Sequence, residues 1–266
     1  MSVFFIDGTY FNPENIAKSG QCFRWKEEKD GSYSLIAHGK YLLIEKESDR
    51  YRIKSTKEDW ENIWKEYFDI ERDYSYIKKL IESSEDTHLK EAFFKGRGIR
   101  ILRQDLWETI VSFLISQNNN ISRIKNSIEK ICVKAGKLTD YKEGYQFPMP
   151  EDVNKGFFED SGLGLGYRVE YLEEIYEYAR NNPNWLNELK SKNYEDAMSS
   201  LLERKGIGPK VANCICLFGL GHVGAFPIDT HVKQLLKKYY PDGFDFERYR
   251  GCAGIIQQFL FYYEIS

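Results

Sequence analysis

The chain has 266 residues, 42% hydrophobic and 15% aromatic, enough for one large domain or two modest ones with a real core. No apolar run approaches the roughly 20 residues of a membrane span, and Met1–Asp7 lacks the basic-then-apolar pattern of a secretory leader, so neither a membrane partner nor export is expected. The net charge of -3 argues mildly against a nucleic-acid partner, yet nine Lys and Arg stand against four acids between Lys95 and Asp140, and six against two between Ser200 and Tyr240; local field steers a polyanion more than net charge does.

Residues 20–56 alternate in strand fashion as Cys22-Phe23-Arg24-Trp25, Ser32–Ala37, Lys40–Ile44 and Arg50–Ile53. Turn signals at Asp30-Gly31, His38-Gly39 and Ser48-Asp49 separate them and predict an antiparallel meander. From Asp59 the period changes: Trp60, Ile63, Trp64, Tyr67 and Phe68 form the stripe of an amphipathic helix. Asp105 with Glu108 predicts a capping box opening a helix through Leu106, Ile110, Phe113 and Leu114. Asn120 predicts the cap of a second helix, with Ile121, Ile124, Ile128 and Ile131 on one face. Further stripes at Val169/Leu172/Ile175/Ala179, Ala197/Leu201, Val232/Leu235/Leu236/Tyr239 and Tyr249/Ile256/Leu260 make nearly all of the remainder helical. The expected fold class is α+β, an antiparallel β-sheet domain with flanking helices over 1–90 and a helical domain over 91–266.

Five scattered cysteines, Cys22, Cys132, Cys214, Cys216 and Cys252, suit reduced thiols better than a disulfide framework. Cys214 and Cys216 form a pair, but no second close pair completes a zinc or iron–sulfur site, and no metal is expected.

Leu201–His231 is the most informative segment. After a helix ending near Arg204 come Gly206-Ile207-Gly208, and Pro209 then takes the first position of a new helix, where its missing N–H costs nothing. Two glycines around one aliphatic residue leave backbone N–H groups free, and with the positive end of the next helix they form an anion site fit for a DNA phosphate. An ordinary αα-hairpin would also place glycine in this turn. Two further residues sharpen the reading. Lys210 begins the second helix at its positive end, where a lysine is electrostatically disfavoured. About twenty residues later Asp229 opens another helix, in the run Phe226-Pro227-Ile228-Asp229-Thr230-His231. Each alone fits a bland role, a surface lysine and a helix cap.

This segment resembles the helix-hairpin-helix–Gly/Pro–Asp superfamily of DNA glycosylases, and the whole chain resembles the 8-oxoguanine DNA glycosylase/AP lyases of the eukaryotic type. The resemblance runs through Ser19–Trp25, Leu102–Asp105, Gln117–Asn120, Leu163–Arg168, the hairpin and Ala253–Phe261. It implies a helix-hairpin-helix glycosylase domain after the sheet, excision of 8-oxoguanine from duplex DNA, and nicking of the abasic strand. It implies Lys210 as nucleophile, attacking as the neutral amine, and Asp229 as the carboxylate that stabilises positive charge on the sugar.

The base-binding residues it implies are Gly20, Cys214, Gln257 and Phe261. Guanine carries an acceptor at N7, whereas the 8-oxo form carries a hydrogen there. The family reads that hydrogen with a backbone carbonyl, here that of Gly20. Gln257 matches the reader of the Watson–Crick edge, and Cys214 and Phe261 the pair that sandwiches the flipped base. Without the resemblance, a thiol and an aromatic on helices read as core. Asn118 matches the residue filling the gap, Tyr167 the wedge, and Arg123 and Arg168 the partners of the orphaned cytosine. His231 matches a phosphate contact, beside the hairpin's Gly206 and Gly208; a structural histidine is the plain alternative.

No cofactor is required by this scheme. The expected partner is double-stranded DNA containing 8-oxoguanine opposite cytosine, bound by a monomer. The short termini and missing targeting signals lead us to expect a cytoplasmic, nucleoid-associated protein of bacterial or archaeal origin. Two alternatives stand beside it, a helix-hairpin-helix glycosylase for another damaged base and a non-catalytic helix-hairpin-helix DNA-binding protein.

Overall fold

A computed structural model describes residues 1–140 and 144–266. The meander is present, but its first strand begins later than the pattern predicts, at Trp25, with Cys22, Phe23 and Arg24 outside it. β2 (Trp25–Glu27), β3 (Tyr33–Ala37), β4 (Lys40–Glu47) and β5 (Arg50–Ser55) lie side by side, and a strand the pattern did not predict, β1 (Ser2–Asp7), joins outside β5. β1 and β4 both pair antiparallel with β5, placing Phe4 and Ile44 on either side of Ile53. Val3-Phe4-Phe5-Ile6 is apolar at every position, which hides the period of two, although Val3 and Phe5 stand exposed and Ile6 is buried. The Arg50 guanidinium covers the exposed Phe5 ring at 3.8 Å.

Between β1 and β2 sits α1 (Pro13–Lys18), capped by Asn12, whose side chain accepts from the Asn15 N–H. The aromatic stripe after β5 is helical but not uniformly so. α2 (Lys57–Asp59) passes into a π-turn at Trp60–Trp64, closed by the Lys65 N–H on the Trp60 carbonyl, before α3 (Lys65–Tyr67). Trp60, Trp64, Tyr67 and Phe68 are all buried. α4 (Tyr74–Glu82) and α5 (Thr87–Lys95) follow.

The later helices are α6 (Leu106–Ser116), α7 (Ile121–Ala135), α8 (Val169–Asn181), α9 (Trp185–Ser191), α10 (Tyr194–Leu202), α11 (Pro209–Phe218), α12 (Thr230–Tyr239) and α13 (Ala253–Ile265). Asp105 and Asn120 cap α6 and α7 as predicted, accepting from the Glu108 and Arg123 N–H groups at 2.9 Å each. The last helix starts later than its stripe suggests: Tyr249 lies in a preceding turn, closed by the Cys252 N–H on its carbonyl.

Contacts divide the chain differently from a single cut at residue 90. One compact unit comprises Met1–Ser34, Leu42–Arg103 and His222–Ser266; the other comprises Leu35–Tyr41 and Gln104–Gly221. The C-terminal segment returns to the sheet-bearing unit because α13 is apolar on nearly all sides and buries itself against α5 and α12. In the second unit α11 packs between α10 and α6, while α6 also packs on α7 and α8. Ile110, Leu114, Ile128, Ile175, Tyr176, Leu201 and Ile215 are buried there.

Candidate active site

The sheet-bearing unit gathers Gly20, Gln257, Phe261, Asp229 and His231. Gly20 adopts φ +75, a region costly for other residues, and a methyl there would lie 3.0 Å from Phe261 Cε1. The glycine therefore rests against the Phe261 ring. Its neighbours hold it in place. Buried Gln21 donates from Nε2 to the Ser19 hydroxyl and the Arg100 carbonyl, both at 3.0 Å, and its Oε1 accepts from the Leu102 N–H at 2.8 Å. On the other side Gln258 donates to the Ser19 carbonyl at 2.7 Å. Each of these bonds satisfies a group that burial would otherwise penalise, so the peptide at Gly20 has little freedom to turn.

Gln257 and Phe261 are four residues apart on α13 and share a face. Gln257 is only 5% exposed, and its amide makes no hydrogen bond among the described residues. An uncommitted amide of this kind is ready for a partner with several donors and acceptors. Asp229 caps α12: one carboxylate oxygen accepts from the Val232 N–H at 2.8 Å. The second makes no hydrogen bond among the described residues. The cap fixes the side chain, and the free oxygen keeps the negative charge available. His231, in the first turn of α12, is exposed, with its ring 6.4 Å from that of Phe261.

The second unit gathers Lys210, Cys214, Asn118, Arg123, Tyr167, Arg168, Gly206 and Gly208. Pro209 opens α11 as predicted, and Gly208 caps it without a side chain. Gly206 has φ +83, and a methyl there would strike the Tyr171 ring at 2.5 Å. Gly208 differs: its φ is -91 and a methyl would meet nothing within 4 Å. The fold alone tolerates a side chain at 208; its absence leaves the first-turn amides of α11 uncovered. Between the two glycines, buried Ile207 anchors the turn.

Lys210 is half-buried, with Nζ 5.3 Å from the centre of the Phe113 ring. Cys214, one turn on along the same face of α11, is buried. Burial also raises its neighbour Cys216 to about 12, so that thiol is packing, not a nucleophile.

Asn118 stands at φ +46, a left-handed conformation that asparagine tolerates better than most residues. Its amide donates to the Tyr167 hydroxyl at 3.3 Å, and that hydroxyl donates to the Gln117 carbonyl at 3.2 Å. Arg168 is 7% exposed and lies 4.6 Å over the Tyr167 ring. Its Nε donates to the Gln117 carbonyl at 2.8 Å, Nη1 to the Leu165 carbonyl at 3.1 Å, and Nη2 to the carbonyls of Gln117 and Asn118. Of five guanidinium N–H groups, one on Nη1 remains uncommitted. Arg123 is the opposite: exposed, with no hydrogen bond or ion pair from its guanidinium among the described residues. The two arginines, given one role by sequence, are not equivalent.

Gln21, Gln258 and Phe113 were not singled out from sequence. The signal for the glutamines was faint, an amide directly beside Gly20 and a second beside Gln257 in an otherwise apolar run. Among the described residues no cluster of three His, Cys, Asp or Glu side chains is arranged to hold a metal ion, and no helix is long and apolar enough to cross a membrane.

A glycine-bounded hairpin between α10 and α11, with a lysine in the second helix's first turn, places the chain in the helix-hairpin-helix class. Comparison with known proteins narrows this. Residues 3–110 match the family model of the 8-oxoguanine DNA glycosylase N-terminal domain. An N-glycosylase/DNA lyase of Saccharomyces cerevisiae is 30% identical over 259 residues, 85% of this chain and 67% of that protein. The N-glycosylase/DNA lyase OGG1 of Arabidopsis thaliana is 35% identical over 164 residues, 59% of this chain and 45% of that longer protein. The 8-oxoguanine glycosylase/lyase of Clostridium acetobutylicum, solved with double-stranded DNA containing cytosine opposite 8-oxoguanine, is 37% identical with a TM-score of 0.88, covering 97% of this chain and 92% of that one. The chain belongs to the 8-oxoguanine DNA glycosylase/lyase family.

Proposed function

We propose that the chain excises 8-oxoguanine paired with cytosine from duplex DNA and then nicks the abasic strand through a lysine Schiff base. The observation that carries this is the state of its two key side chains: Lys210 in the first turn of the hairpin's second helix, and Asp229 with one oxygen spent on a cap and the other free.

Lys210, as the neutral amine, attacks C1′ while the bond from C1′ to the base breaks and its electron pair leaves with the base. Asp229 stabilises the positive charge that develops on the sugar. The sugar then opens to an imine between C1′ and Nζ. Loss of a 2′ proton expels the 3′ phosphate, and hydrolysis of the imine returns the lysine. Side chains and water supply every group in this scheme, so no cofactor is required.

The Gly20 carbonyl accepts the hydrogen that 8-oxoguanine carries at N7 and that guanine lacks. The Gln21 and Gln258 struts support this reading, because a single hydrogen bond discriminates only when its acceptor cannot swing away. Gln257 faces the base edge, with Phe261 and Cys214 as the base's stacking partners. Asn118 fills the vacated stack beside Tyr167. Arg123 is the principal donor to the orphaned cytosine, and Arg168 contributes its one uncommitted N–H. The hairpin and His231 bind phosphates. The protein acts as a monomer, in the cytoplasm of a bacterium or archaeon.

Cleavage of duplexes carrying 8-oxoguanine opposite each of the four bases, with borohydride trapping, tests the reading. Wild-type protein should cleave the cytosine pair fastest and leave a trapped adduct. Lys210→Gln should bind DNA but neither cleave nor trap. An adduct formed by Lys210→Gln would reassign the nucleophile. Equal rates for cytosine and adenine partners would remove the role given to the arginines.

A further inference from the structure

Four residues on one side of α8 meet the hairpin. Glu170 Oε2 lies 2.8 Å from Lys205 Nζ, and the Tyr171 ring lies directly against Gly206. Glu174 Oε1 is 3.7 Å from Arg204 Nη1, while the Tyr178 ring carries the Arg204 guanidinium at 3.8 Å. Positions 170, 171, 174 and 178 fall on a single helix face. The turn Gly166–Arg168 leads directly into α8 and carries Tyr167 and Arg168, which hold the Gln117–Asn118 backbone.

Tyr171 touches both sets. The face of its ring meets Gly206, where a methyl would lie within 3 Å of three ring carbons, and it packs edge-to-face with Tyr167 at 5.8 Å between centres and 81° between planes. Its hydroxyl makes no hydrogen bond among the described residues, so the ring makes these contacts. A flat, rigid ring with two rotatable bonds keeps such a spacing at small entropic cost.

We propose that Tyr171 is a positioning residue that sets the Tyr167–Asn118 wedge at a fixed place relative to the phosphate-gripping hairpin. The proposal rests on the reading of Asn118 as the residue that fills the vacated stack. The hairpin fixes where the backbone is held, and the wedge fixes where the duplex is opened. A spacer between them determines which nucleotide, counted from the gripped phosphate, is displaced. Flipping costs a few kcal/mol of lost stacking and pairing, so a wedge out of place fails to offset it even when grip and nucleophile are intact.

Single-turnover excision from the 8-oxoguanine–cytosine duplex by wild type, Tyr171→Leu, Tyr171→Phe, Asn118→Ala and the double variant Asn118→Ala/Tyr171→Leu tests this. If Tyr171 acts through the wedge, Tyr171→Leu slows excision by about tenfold in the wild-type background and by less than about twofold once Asn118 is alanine, the non-additivity of two residues in one unit. Tyr171→Phe should stay within about twofold of wild type, because it keeps the ring. Affinity for undamaged duplex should hold within about threefold, because the hairpin amides remain. Tyr171→Met, which keeps bulk without a ring, takes the place of Tyr171→Leu if that variant does not fold, with the same expected losses. Equal losses in both backgrounds would overturn the inference, as would a loss in Tyr171→Phe matching that in Tyr171→Leu. A wild-type rate from Asn118→Ala would remove the wedge reading and this inference with it. Wild-type protein inert on 8-oxoguanine would instead overturn the proposed substrate.

Discussion

The two units hold their functional groups by contrasting means. In the sheet-bearing unit Gly20 is fixed by buried side-chain amides: Gln21 bonds into the Arg100–Leu102 backbone, and Gln258 reaches Ser19 across 239 residues of sequence. In the hairpin-bearing unit the groups sit at helix ends and turns, held by backbone geometry in the hairpin and by bonds from Tyr167 and Arg168 to backbone carbonyls at Gln117 and Asn118. A base is recognised through one or two directed hydrogen bonds, which demand an immobile acceptor. A phosphate is recognised through charge and a cluster of amides, which a helix end supplies without buried scaffolding. Rigidity is concentrated where chemical discrimination is required.

The sharpest test of that contrast lies at Asp229. Asparagine caps a helix about as well as aspartate, so Asp229→Asn should leave the melting temperature almost unchanged. Excision should nevertheless slow by about a hundredfold or more, as charge stabilisation on the sugar is lost. Single-turnover kinetics beside a thermal melt measures both. A parallel fall in stability and rate would make Asp229 a cap first and a catalytic group second.

The hairpin glycines separate fold from ligand. Gly206→Ala meets both a left-handed backbone and the Tyr171 ring and should cost about 2 kcal/mol or more of stability. Gly208→Ala meets neither and should fall within about 0.5 kcal/mol of wild type, yet weaken DNA binding by crowding the amides. Chemical denaturation and a binding titration distinguish them; unchanged DNA affinity in Gly208→Ala would detach that position from the phosphate.

On the reading side, Gln258→Ala leaves the Ser19 carbonyl without its buried donor and should cost about 1–3 kcal/mol. Preference for 8-oxoguanine over guanine should fall more than activity on an abasic site, where no base is read. Competition between the two substrates shows whether it does. The smallest structural effect is expected from Arg123→Ala. Stability should be unchanged within about 0.5 kcal/mol because the side chain is exposed, while preference for cytosine over adenine opposite the lesion drops about tenfold or more with the lost charged hydrogen bond. Arg168→Ala, by contrast, should lower stability as well, since it withdraws four hydrogen bonds from the Leu165, Gln117 and Asn118 carbonyls. Identical behaviour of the two variants would contradict the inequality of these arginines.

The same contrast explains what the sequence disclosed. The hairpin, the proline opening α11, and the Asp105, Asn120 and Asp229 caps are local patterns, and each lies where spacing and side-chain chemistry predict. The Gly20 scaffold joins Ser19–Gln21, Arg100–Leu102 and Gln258, three segments that no periodicity connects, so its glutamines were passed over. β1 escaped because its four apolar residues in a row show no alternation. Arg123 and Arg168 looked alike because residue type does not reveal which carbonyls a folded chain will present to a guanidinium. Tyr171 lies outside the Val169/Leu172/Ile175/Ala179 stripe, and only the proximity of Gly206 shows that its ring is occupied.

All five cysteines are buried, and none is joined in a disulfide. Burial pushes the Cys216 thiol to about 12 and raises that of Cys252, so the thiolate, the nucleophile that attacks a peroxide, is scarce at both positions. The conditions that oxidise guanine in DNA also oxidise accessible thiols, and a repair protein is needed most when oxidant is abundant. A chain whose thiols are folded out of reach keeps them reduced through the stress that generates its substrate. A thiol-reactive dye should label the native protein slowly and all five cysteines at once after unfolding; rapid labelling of the folded chain would show that the shielding is breached.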